Sequence, residues 1–150
     1  MLKIREVTLN DIEDLQELYL EHLTQNPPQN PLDISKWTEL LDKLIADPDY
    51  YLLVSELDGK VVASITLIVI RNLTHNLRPY ALIENVVTHS DYRNKGLASA
   101  LMNQASEIAQ NSNCYKIMLM TGSKQESTLR FYENCGFNRY KKTAFLKILT

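Results

Sequence analysis

Hydrophobic residues recur along the chain first at every second position and then at every third or fourth. Residues 2–7 roughly alternate apolar and charged side chains, which predicts a half-buried strand. From Thr8 to about Thr24 the spacing becomes helical, and Thr8 with Asp11 resembles a capping box. The three prolines of residues 25–31 cannot continue a helix, so this stretch is predicted to be a loop inside one domain.

A second helix and a hairpin are predicted next. Asp33 can cap a helix whose apolar positions repeat at three and four until Asp47. The segments 50–57 and 60–70 are rich in aromatic and β-branched residues, and the Asp-Gly pair between them is a strong hairpin signal. Two helices and a hairpin therefore follow the first strand.

The second half of the chain alternates strands and helices. The pattern predicts a strand over 80–88, a helix from Lys95 or Gly96 to Gln110, a buried strand over 116–120, a helix from a Ser123–Glu126 capping box to Gly136, and closing strands over 137–140 and 144–149. The β-α-β segment from 80 to 120 requires a parallel strand pair. The sequence thus predicts a single α/β domain, residues 1–150, with a mixed sheet and helices on its faces.

Composition and charge exclude several classes of function. Of the 150 residues, 45% are hydrophobic and 23% are charged, as in one globular domain. The formal net charge is −2, without runs of like charge, which argues against nucleic-acid and membrane-surface binding. The apolar runs are too short to span a bilayer and no signal peptide is apparent, so a soluble cytoplasmic protein is expected.

The cysteines and histidines indicate neither a disulfide nor a metal site. Cys114 and Cys135 are expected to be free thiols in a reducing compartment. His22, His75 and His89 are isolated in sequence from one another and from both cysteines. Zinc sites usually draw on clustered ligands, so no metal is expected.

The passage from the strand at 80–88 into the next helix is the strongest candidate for chemistry. A helix N-terminus exposes unpaired N–H groups and the positive end of the helix dipole, and Arg93 and Lys95 add positive charge there. Gly96 and Ala98 lack bulk, so a pyrophosphate can approach the backbone. The glycine motifs of P-loop and dinucleotide-binding folds are absent, so those folds are not favoured.

Two motifs in this order resemble the GCN5-related N-acetyltransferase (GNAT) family. The first, Arg93–Ala98 (RNKGLA), follows a strand that carries Glu84 and Val87, and the second is Phe131–Phe137 (FYENCGF). The resemblance covers nearly the whole chain. It implies the GNAT fold, a mixed and mostly antiparallel sheet of about six to seven strands flanked by about four helices. In that fold the parallel fourth and fifth strands splay apart to admit acetyl-CoA.

The resemblance also implies the contacts of acetyl-CoA, the acetyl donor. The pyrophosphate is expected on the backbone N–H groups of the loop, and the pantetheine arm is expected to pair with the fourth strand. In the final helix, Gln125 and Thr128 stand where the family often has Asn and Ala or Ser. The cofactor residues carried over are Val86, Val87, Thr88, Arg93, Asn94, Lys95, Gly96, Leu97, Ala98 and Thr128.

Two side chains are implied in catalysis by the same resemblance. Tyr132 matches the tyrosine that often protonates the departing CoA thiolate, and a phenol with a pKa of about 10 can donate at neutral pH. An amine must lose a proton to attack, and Glu84 is the candidate base, although a strand glutamate can also bind the substrate cation or face solvent. Cys135 is expected in the core rather than as an acyl carrier.

The sequence does not identify the acceptor amine. Segments 114–117 and 131–137 are similar to glucosamine-6-phosphate N-acetyltransferases, but they lie mostly on the core and CoA side. Residues 24–37 and 71–80 usually select the acceptor, so an amino-sugar phosphate, polyamine, aminoglycoside, amino acid or peptide all remain candidates. The side chains there are Trp37, His75 and Tyr80, and the cations that could hold a phosphate are Arg71, Arg78 and Lys124.

Three classes of function remain to be compared. The first is an acetyltransferase, and the second is a non-catalytic acyl-CoA-binding sensor that has kept the loop and lost turnover. Glu84 and Tyr132 favour the enzyme. The third is a nucleotide-phosphate binder, which selectivity for CoA over ATP would exclude. A homodimer through C-terminal edge strands is common in the family and is one candidate arrangement, but the sequence does not determine the oligomeric state.

Overall fold

One five-stranded sheet organises the chain, and the computed structural model describes all 150 residues. The strands are β1 (Leu2–Glu6), β2 (Tyr50–Leu57), β3 (Lys60–Ile70), β4 (Tyr80–Thr88) and β5 (Ile117–Leu119), in spatial order β1-β2-β3-β4-β5. Neighbours from β1 to β4 are antiparallel, whereas β4 and β5 are parallel. The predicted mixed sheet with a parallel β4–β5 pair is confirmed.

Four helices cover the sheet. They are α1 (Ile12–Glu17), which continues as a π-helical segment (Leu18–Leu23), α2 (Ile34–Ala46), α3 (Leu97–Asn111) and α4 (Glu126–Asn134). Short 3-10 turns precede α1 at Leu9–Asp11 and precede α3 at Ser90–Tyr92. None of these helices combines the length and the apolar character needed to cross a membrane.

The sheet buries hydrophobic side chains on both faces. Because side chains alternate along a strand, the nearly continuous apolar run of β3 reflects burial on both sides. The same alternation sends Val86 towards the α3 face and Val87 towards the face of α1 and α2. Prominent core residues are Leu53, Ile65, Leu67, Ile83, Leu101 and Met102 on the α3 face, and Leu15, Leu18, Leu41, Val54 and Val61 on the other.

Local signals in the sequence set several element boundaries. The Asp33 carboxylate accepts a hydrogen bond from Ser35 N at 3.2 Å and caps α2, as predicted. The Asp11 carboxylate accepts from Thr8 N at 2.8 Å, which confirms the pairing expected of the first capping box. Asp58 and Gly59 adopt φ values of +50° and +85°, as a tight hairpin turn requires.

The predicted capping box at the start of α4 is wrong. The N-cap of α4 is Gln125, and the helix begins at Glu126. The Ser123 Oγ instead accepts a hydrogen bond from Gln125 N at 3.2 Å, which forms a local turn before the helix. A serine three residues before a glutamate can serve either arrangement, and the sequence pattern does not distinguish them.

The two predicted closing strands are absent, so the sheet has five strands rather than six or seven. Phe137 N donates to Tyr132 O, and Asn138 Oδ1 accepts from Tyr140 N at 2.8 Å and Lys141 N at 3.1 Å, so these groups serve a helix end and a turn. Residues 144–149 have the composition of a strand but pair with none. A strand forms only where a second strand pairs with it, and composition does not report that.

The absence of closing strands leaves β5 at the edge of the sheet. The sequence predicted a buried strand over 116–120, but β5 spans only three residues, and Met118 is 41% exposed. β5 is therefore less buried than its apolar composition predicts. An edge strand is more exposed than one with a neighbour on each side, and β5 has β4 alone.

Candidate active site

The parallel pair of β4 and β5 opens into a cleft. Its register comprises only Ala81 with Ile117, Leu82 with Met118 and Ile83 with Leu119. β4 continues to Thr88 beyond the end of β5, so its backbone from 84 to 88 has no strand beside it on that edge. The open edge includes the three residues that the sequence assigned to the pantetheine arm, Val86, Val87 and Thr88.

A β-bulge lies where the cleft begins. Ser64 pairs with Val87 and Thr66 pairs with Glu84, so two residues of β4 stand opposite one residue of β3. One of the two is Asn85, with φ of +53°, a conformation that asparagine tolerates better than most residues. A bulge bends a strand and re-aims its side chains, which is how β4 can diverge from β5 here.

Glu84 and Tyr132 line one cavity of about 190 Å³ at this point. The two residues come from β4 and α4, and the other walls include Leu119 of β5 and Leu23 of the π-helical segment. Glu84 forms no salt bridge or hydrogen bond through its side chain. A free carboxylate and a phenol thus share one small cavity.

Tyr132 is positioned by the end of its own helix. Gly136 has φ of +97°, and Gly136 N and Phe137 N donate to Glu133 O at 2.9 Å and Tyr132 O at 3.1 Å. This pairing is a Schellman motif, which needs a residue that tolerates positive φ. The Tyr132 ring also contacts Phe131 edge-on, with centroids 5.1 Å apart. Residues close to Tyr132 in the sequence therefore hold its ring in position.

The hydroxyl of Tyr132 stays available to donate a proton. It forms no hydrogen bond within the chain. Burial, and to a lesser extent the neighbouring Cys135, raises the pKa of Tyr132 above its ordinary value. The phenol is therefore neutral throughout the physiological pH range, as a proton donor to a thiolate must be.

The loop that precedes α3 presents unpaired backbone donors. No backbone N–H from Arg93 to Ser99 donates a hydrogen bond within the chain. Asn94 and Gly96 have positive φ values of +62° and +75°, which shape the turn around these groups. The side chains of Arg93 and Lys95 are exposed and form no ion pair. A helix N-terminus with free donors and two cations suits a pyrophosphate.

Comparison with models of protein families identifies the family of this chain. The family model described as "Acetyltransferase (GNAT) family" matches residues 12–137. This chain belongs to the GNAT family. Membership confirms the predicted fold, with five strands instead of six or seven, and the predicted class of acetyl-CoA-dependent acetyltransferase.

Individual relatives of this GNAT chain are similar over nearly its whole length. A glucosamine 6-phosphate N-acetyltransferase from Trypanosoma brucei brucei is 29% identical over 141 residues, covering 94% of this chain and 92% of that protein. A solved Trypanosoma brucei acetyltransferase has a TM-score of 0.78 and 28% identity, covering 99% and 100% of the two chains. A solved transcriptional regulator from Bacillus halodurans has a TM-score of 0.85 and 26% identity, with the same coverage.

Two histidines that the sequence treated as isolated lie together in this GNAT domain. The rings of His22 and His89 are 4.0 Å apart between centroids, and His89 Nε2 lies 3.1 Å from Glu17 Oε1. The expectation of isolation is wrong because the π-helical segment packs against the end of β4, which sequence distance does not reveal. With Glu17, these side chains form a cluster of three potential ligands.

Hydrogen bonds at this cluster favour a structural role over metal binding. The Nδ1 atoms of His22 and His89 accept backbone N–H groups, from Ser90 at 3.3 Å and from Asp91 at 3.1 Å. A neutral ring that accepts at Nδ1 carries its proton at Nε2, the atom that would face an ion. Metal-bound histidines usually donate a hydrogen bond from the other nitrogen instead. The cluster therefore anchors the loop before α3.

The aromatic residues predicted near the acceptor occupy two places. Trp37 lines a second cavity between the helices and stacks on Tyr19, with centroids 6.3 Å apart. His75 stacks on Tyr115 at 3.8 Å, and Tyr80 meets Tyr115 edge-on at 6.2 Å. Only Trp37 of the three predicted residues lines either of the two described cavities.

The three cations considered for a substrate phosphate do not line these cavities either. Arg71 Nε lies 3.4 Å from the Asp49 carboxylate. The Arg78 guanidinium donates to two backbone carbonyls, including that of Cys114 at 3.1 Å. Lys124 is exposed ahead of α4. The sequence offered them as cations that could serve the acceptor end of the cleft, but Arg71 pairs with a carboxylate and Arg78 with backbone carbonyls.

The remaining predicted residues lie on α4. Thr128 is half-buried one turn before Tyr132, so both share one face of the helix. Cys135 is half-buried, and burial raises the pKa of its thiol, which lowers its reactivity. Sequence reasoning missed Asn85, because the bulge that it forms depends on the register of β4 with β3, which the sequence does not show.

Proposed function

We propose that this chain transfers the acetyl group of acetyl-CoA directly to a primary amine of a small molecule or peptide, within a ternary complex. The observation that carries this proposal is that Glu84 and Tyr132 line one cavity at the open edge of β4. Amine acetylation by a thioester needs one group to take a proton and another to give one.

Binding of acetyl-CoA is assigned to the backbone as much as to side chains. The free N–H groups of residues 93–99 and the cations Arg93 and Lys95 hold the pyrophosphate. The unpaired edge of β4 over 86–88 offers main-chain donors and acceptors to the pantetheine arm. Thr128 lies on the same helix face as Tyr132, where it can contact the cofactor.

The acetyl transfer then needs three proton movements. Glu84 takes a proton from the ammonium of the acceptor, and the free amine attacks the thioester carbonyl. The new C–N bond forms as the C–S bond breaks. The Tyr132 hydroxyl donates its proton to the departing sulfur, so CoA leaves as a neutral thiol. The acetylated nitrogen then returns its extra proton to the Tyr132 phenolate, directly or through water, which gives a neutral amide and restores the phenol. Cys135 takes no covalent part, because burial keeps its thiol protonated.

The relatives named as glucosamine 6-phosphate N-acetyltransferases support an amine as acceptor. The alternative, an acyl-CoA-binding sensor without turnover, would need the loop before α3 but not the two groups at the cleft. A free carboxylate and a free phenol in one cavity favour the enzyme.

A thiol-release assay with acetyl-CoA tests this proposal. The acceptors are glucosamine 6-phosphate, polyamines, aminoglycosides, amino acids and short peptides, and a thermal-shift measurement with CoA and with ATP checks binding. Amine-dependent release of CoA supports the enzyme. Stabilisation by CoA without release on any amine would favour the sensor, and equal stabilisation by ATP would contradict a CoA site.

A further inference from the structure

A larger cavity of about 410 Å³ lies between α1, the π-helical segment, α2 and the sheet. Ten of its fourteen lining residues are hydrophobic, and the other four are two prolines, Lys36 and Asn85. Small-molecule sites commonly have volumes of about 300 to 1,000 Å³ and mostly apolar walls with a few polar groups. The size and lining therefore fit a small organic ligand.

The large cavity adjoins the catalytic cavity. Asn85 lines both cavities, and it occupies the bulge next to Glu84. The π-helical segment also serves both, with Tyr19 in the larger cavity and Leu23 in the smaller. A ligand body in the larger cavity can therefore extend its end past Asn85 towards Glu84 and Tyr132.

The alternation of side chains along β4 places Glu84, the candidate base, on the same side of the sheet as the large cavity. Ala81 and Ile83 belong to the cluster under α3. Glu84, the next residue, therefore faces the side of α1 and α2, which is also the side of the large cavity. An ammonium group at the end of an apolar body would meet a carboxylate there.

We propose that the large cavity selects the acceptor, and that the preferred acceptor is a primary amine on an uncharged aromatic or branched aliphatic body, such as phenethylamine. This inference rests on the proposed acetyl transfer. It adds the class of acceptor to it, and it differs from the amino-sugar phosphate that the names of several relatives specify.

The charge around the cavity supports this class over a sugar phosphate. Lys36 is the one charged residue in the lining, its side chain is 66% exposed, and its Nζ lies 3.7 Å from a Glu39 carboxylate oxygen. A buried phosphate needs firm cationic or N–H partners, and buried sugar hydroxyls need hydrogen bonds. The lining offers few of either. Leucine and aromatic walls instead favour apolar groups.

Trp37 supplies a defined surface for an aromatic body. Its ring is half-buried in the wall and lies nearly parallel to that of Tyr19, with 26° between the planes. Stacking on the remaining face would add to the burial of apolar area. Leu40, on the same helix and 57% exposed, lies at the accessible part of the lining.

Steady-state kinetics on matched acceptors test the inference. Phenethylamine is compared with glucosamine 6-phosphate and with ethanolamine, a small polar amine, in wild-type protein and in Leu40→Lys. Since one methylene in an apolar pocket is worth about tenfold or more, kcat/KM for phenethylamine should exceed that for both polar amines by at least about tenfold. Leu40→Lys should lower that kcat/KM by a similar factor, mainly through KM.

Ile45→Lys is the matched control, because Ile45 lies on α2, is 45% exposed and lines neither cavity. It should leave the phenethylamine kinetics unchanged. Faster turnover of glucosamine 6-phosphate than of phenethylamine, or equal effects of the two lysine substitutions, would overturn the inference.

A binding measurement separates this inference from the proposed function. Titration of phenethylamine into the CoA complex by calorimetry gives a Kd that does not depend on turnover. Binding that Leu40→Lys weakens, without acetylation of any amine, would support the ligand class and contradict the enzyme. Acetylation of polar amines with no phenethylamine binding would support the enzyme and contradict the ligand class.

Discussion

The side chains of Tyr132 and Glu84 line one cavity, but different local features determine their positions. Tyr132 is set by the Schellman motif at Gly136 and by flanking aromatic rings. Glu84 is set by the bulge at Asn85. The first feature is visible in the sequence as FYENCGF, and the second is not, because a bulge depends on the register with β3. Residue substitutions can therefore test the two roles separately.

Replacement of Tyr132 by Phe should lower kcat by about 100-fold, because the departing thiolate loses its proton donor. The Kd for acetyl-CoA should stay the same, since the ring and its packing are retained. Stopped-flow or steady-state kinetics with a binding titration measure both. Tyr140→Phe is the control, as Tyr140 is 82% exposed and lines neither cavity. A Tyr132 variant with wild-type kcat would remove this residue from the mechanism.

Replacement of Glu84 by Gln distinguishes a base from a substrate ligand. As a base, Glu84 is needed most where the acceptor is an ammonium ion, so the variant should lose rate at neutral pH and regain it as the pH approaches the pKa of the amine. A pH profile of kcat/KM from neutral to alkaline pH measures this. A loss of constant size across the profile would instead indicate that Glu84 binds the substrate cation.

Replacement of Arg93 by Ala should weaken acetyl-CoA binding by about 1 to 3 kcal/mol, the usual worth of a charge-assisted hydrogen bond to phosphate. Isothermal titration at two salt concentrations measures it, and the variant should show a smaller salt dependence. Lys43→Ala, an exposed cation on α2, is the control. An unchanged Kd would mean that the pyrophosphate does not bind at this loop.

At the scale of elements, α2 and the β2–β3 hairpin could be predicted because their signals are local. A capping aspartate and an Asp-Gly turn act within a few residues. The closing strands could not, because strand pairing joins distant segments. The phosphate loop before α3 could also be predicted, because its signal is local. The His22–His89 contact and the large cavity could not be predicted, because both arise where segments distant in sequence, α1, the π-helical segment and α2, pack on the sheet.

The junction of β1 and α1 is held by a partly buried ion pair. Arg5 Nη1 lies 2.8 Å from Asp11 Oδ2, and Asp11 is 6% exposed. Burial alone would raise the pKa of Asp11, but hydrogen bonds from Arg5 and from Thr8 N outweigh it and lower the pKa below its ordinary value. This junction therefore contributes stability only while Asp11 is ionised.

Asp11→Asn should reduce the free energy of unfolding by about 2 kcal/mol at neutral pH. A lowered pKa in the folded state gives stability that is present above the ordinary aspartate pKa of about 4 and is lost as the pH falls through the folded value. The difference between wild type and variant should therefore shrink at low pH. Urea titrations at several pH values measure this, with the exposed Asp42→Asn as control. A pH-independent difference would contradict the assignment.

The molecule as a whole places two cavities on either side of Asn85 and leaves its C-terminal segment uncovered. Phe145, Leu146, Ile148 and Leu149 are each at least 72% exposed, and β5 is an open edge. Exposed apolar groups beside an unpaired strand favour association. The homodimer that the family resemblance suggested would cover them, and it remains a prediction.

Sedimentation velocity should show a dimer for the wild type and a monomer for the double variant Phe145→Asp and Ile148→Asp. The charged side chains would make burial of this segment costly without disturbing the sheet, because neither residue packs in the core. The exposed pair Leu73→Asp and Leu77→Asp is the control. A monomeric wild type at micromolar concentration would contradict the prediction.

The most direct test of the mechanism is the initial rate of CoA release while acetyl-CoA and an accepted amine are varied together. Direct transfer in a ternary complex predicts double-reciprocal lines that intersect, with a lower rate at every point in Tyr132→Phe. Parallel lines would indicate an acetylated enzyme intermediate, and release that does not depend on the amine would contradict N-acetyl transfer altogether.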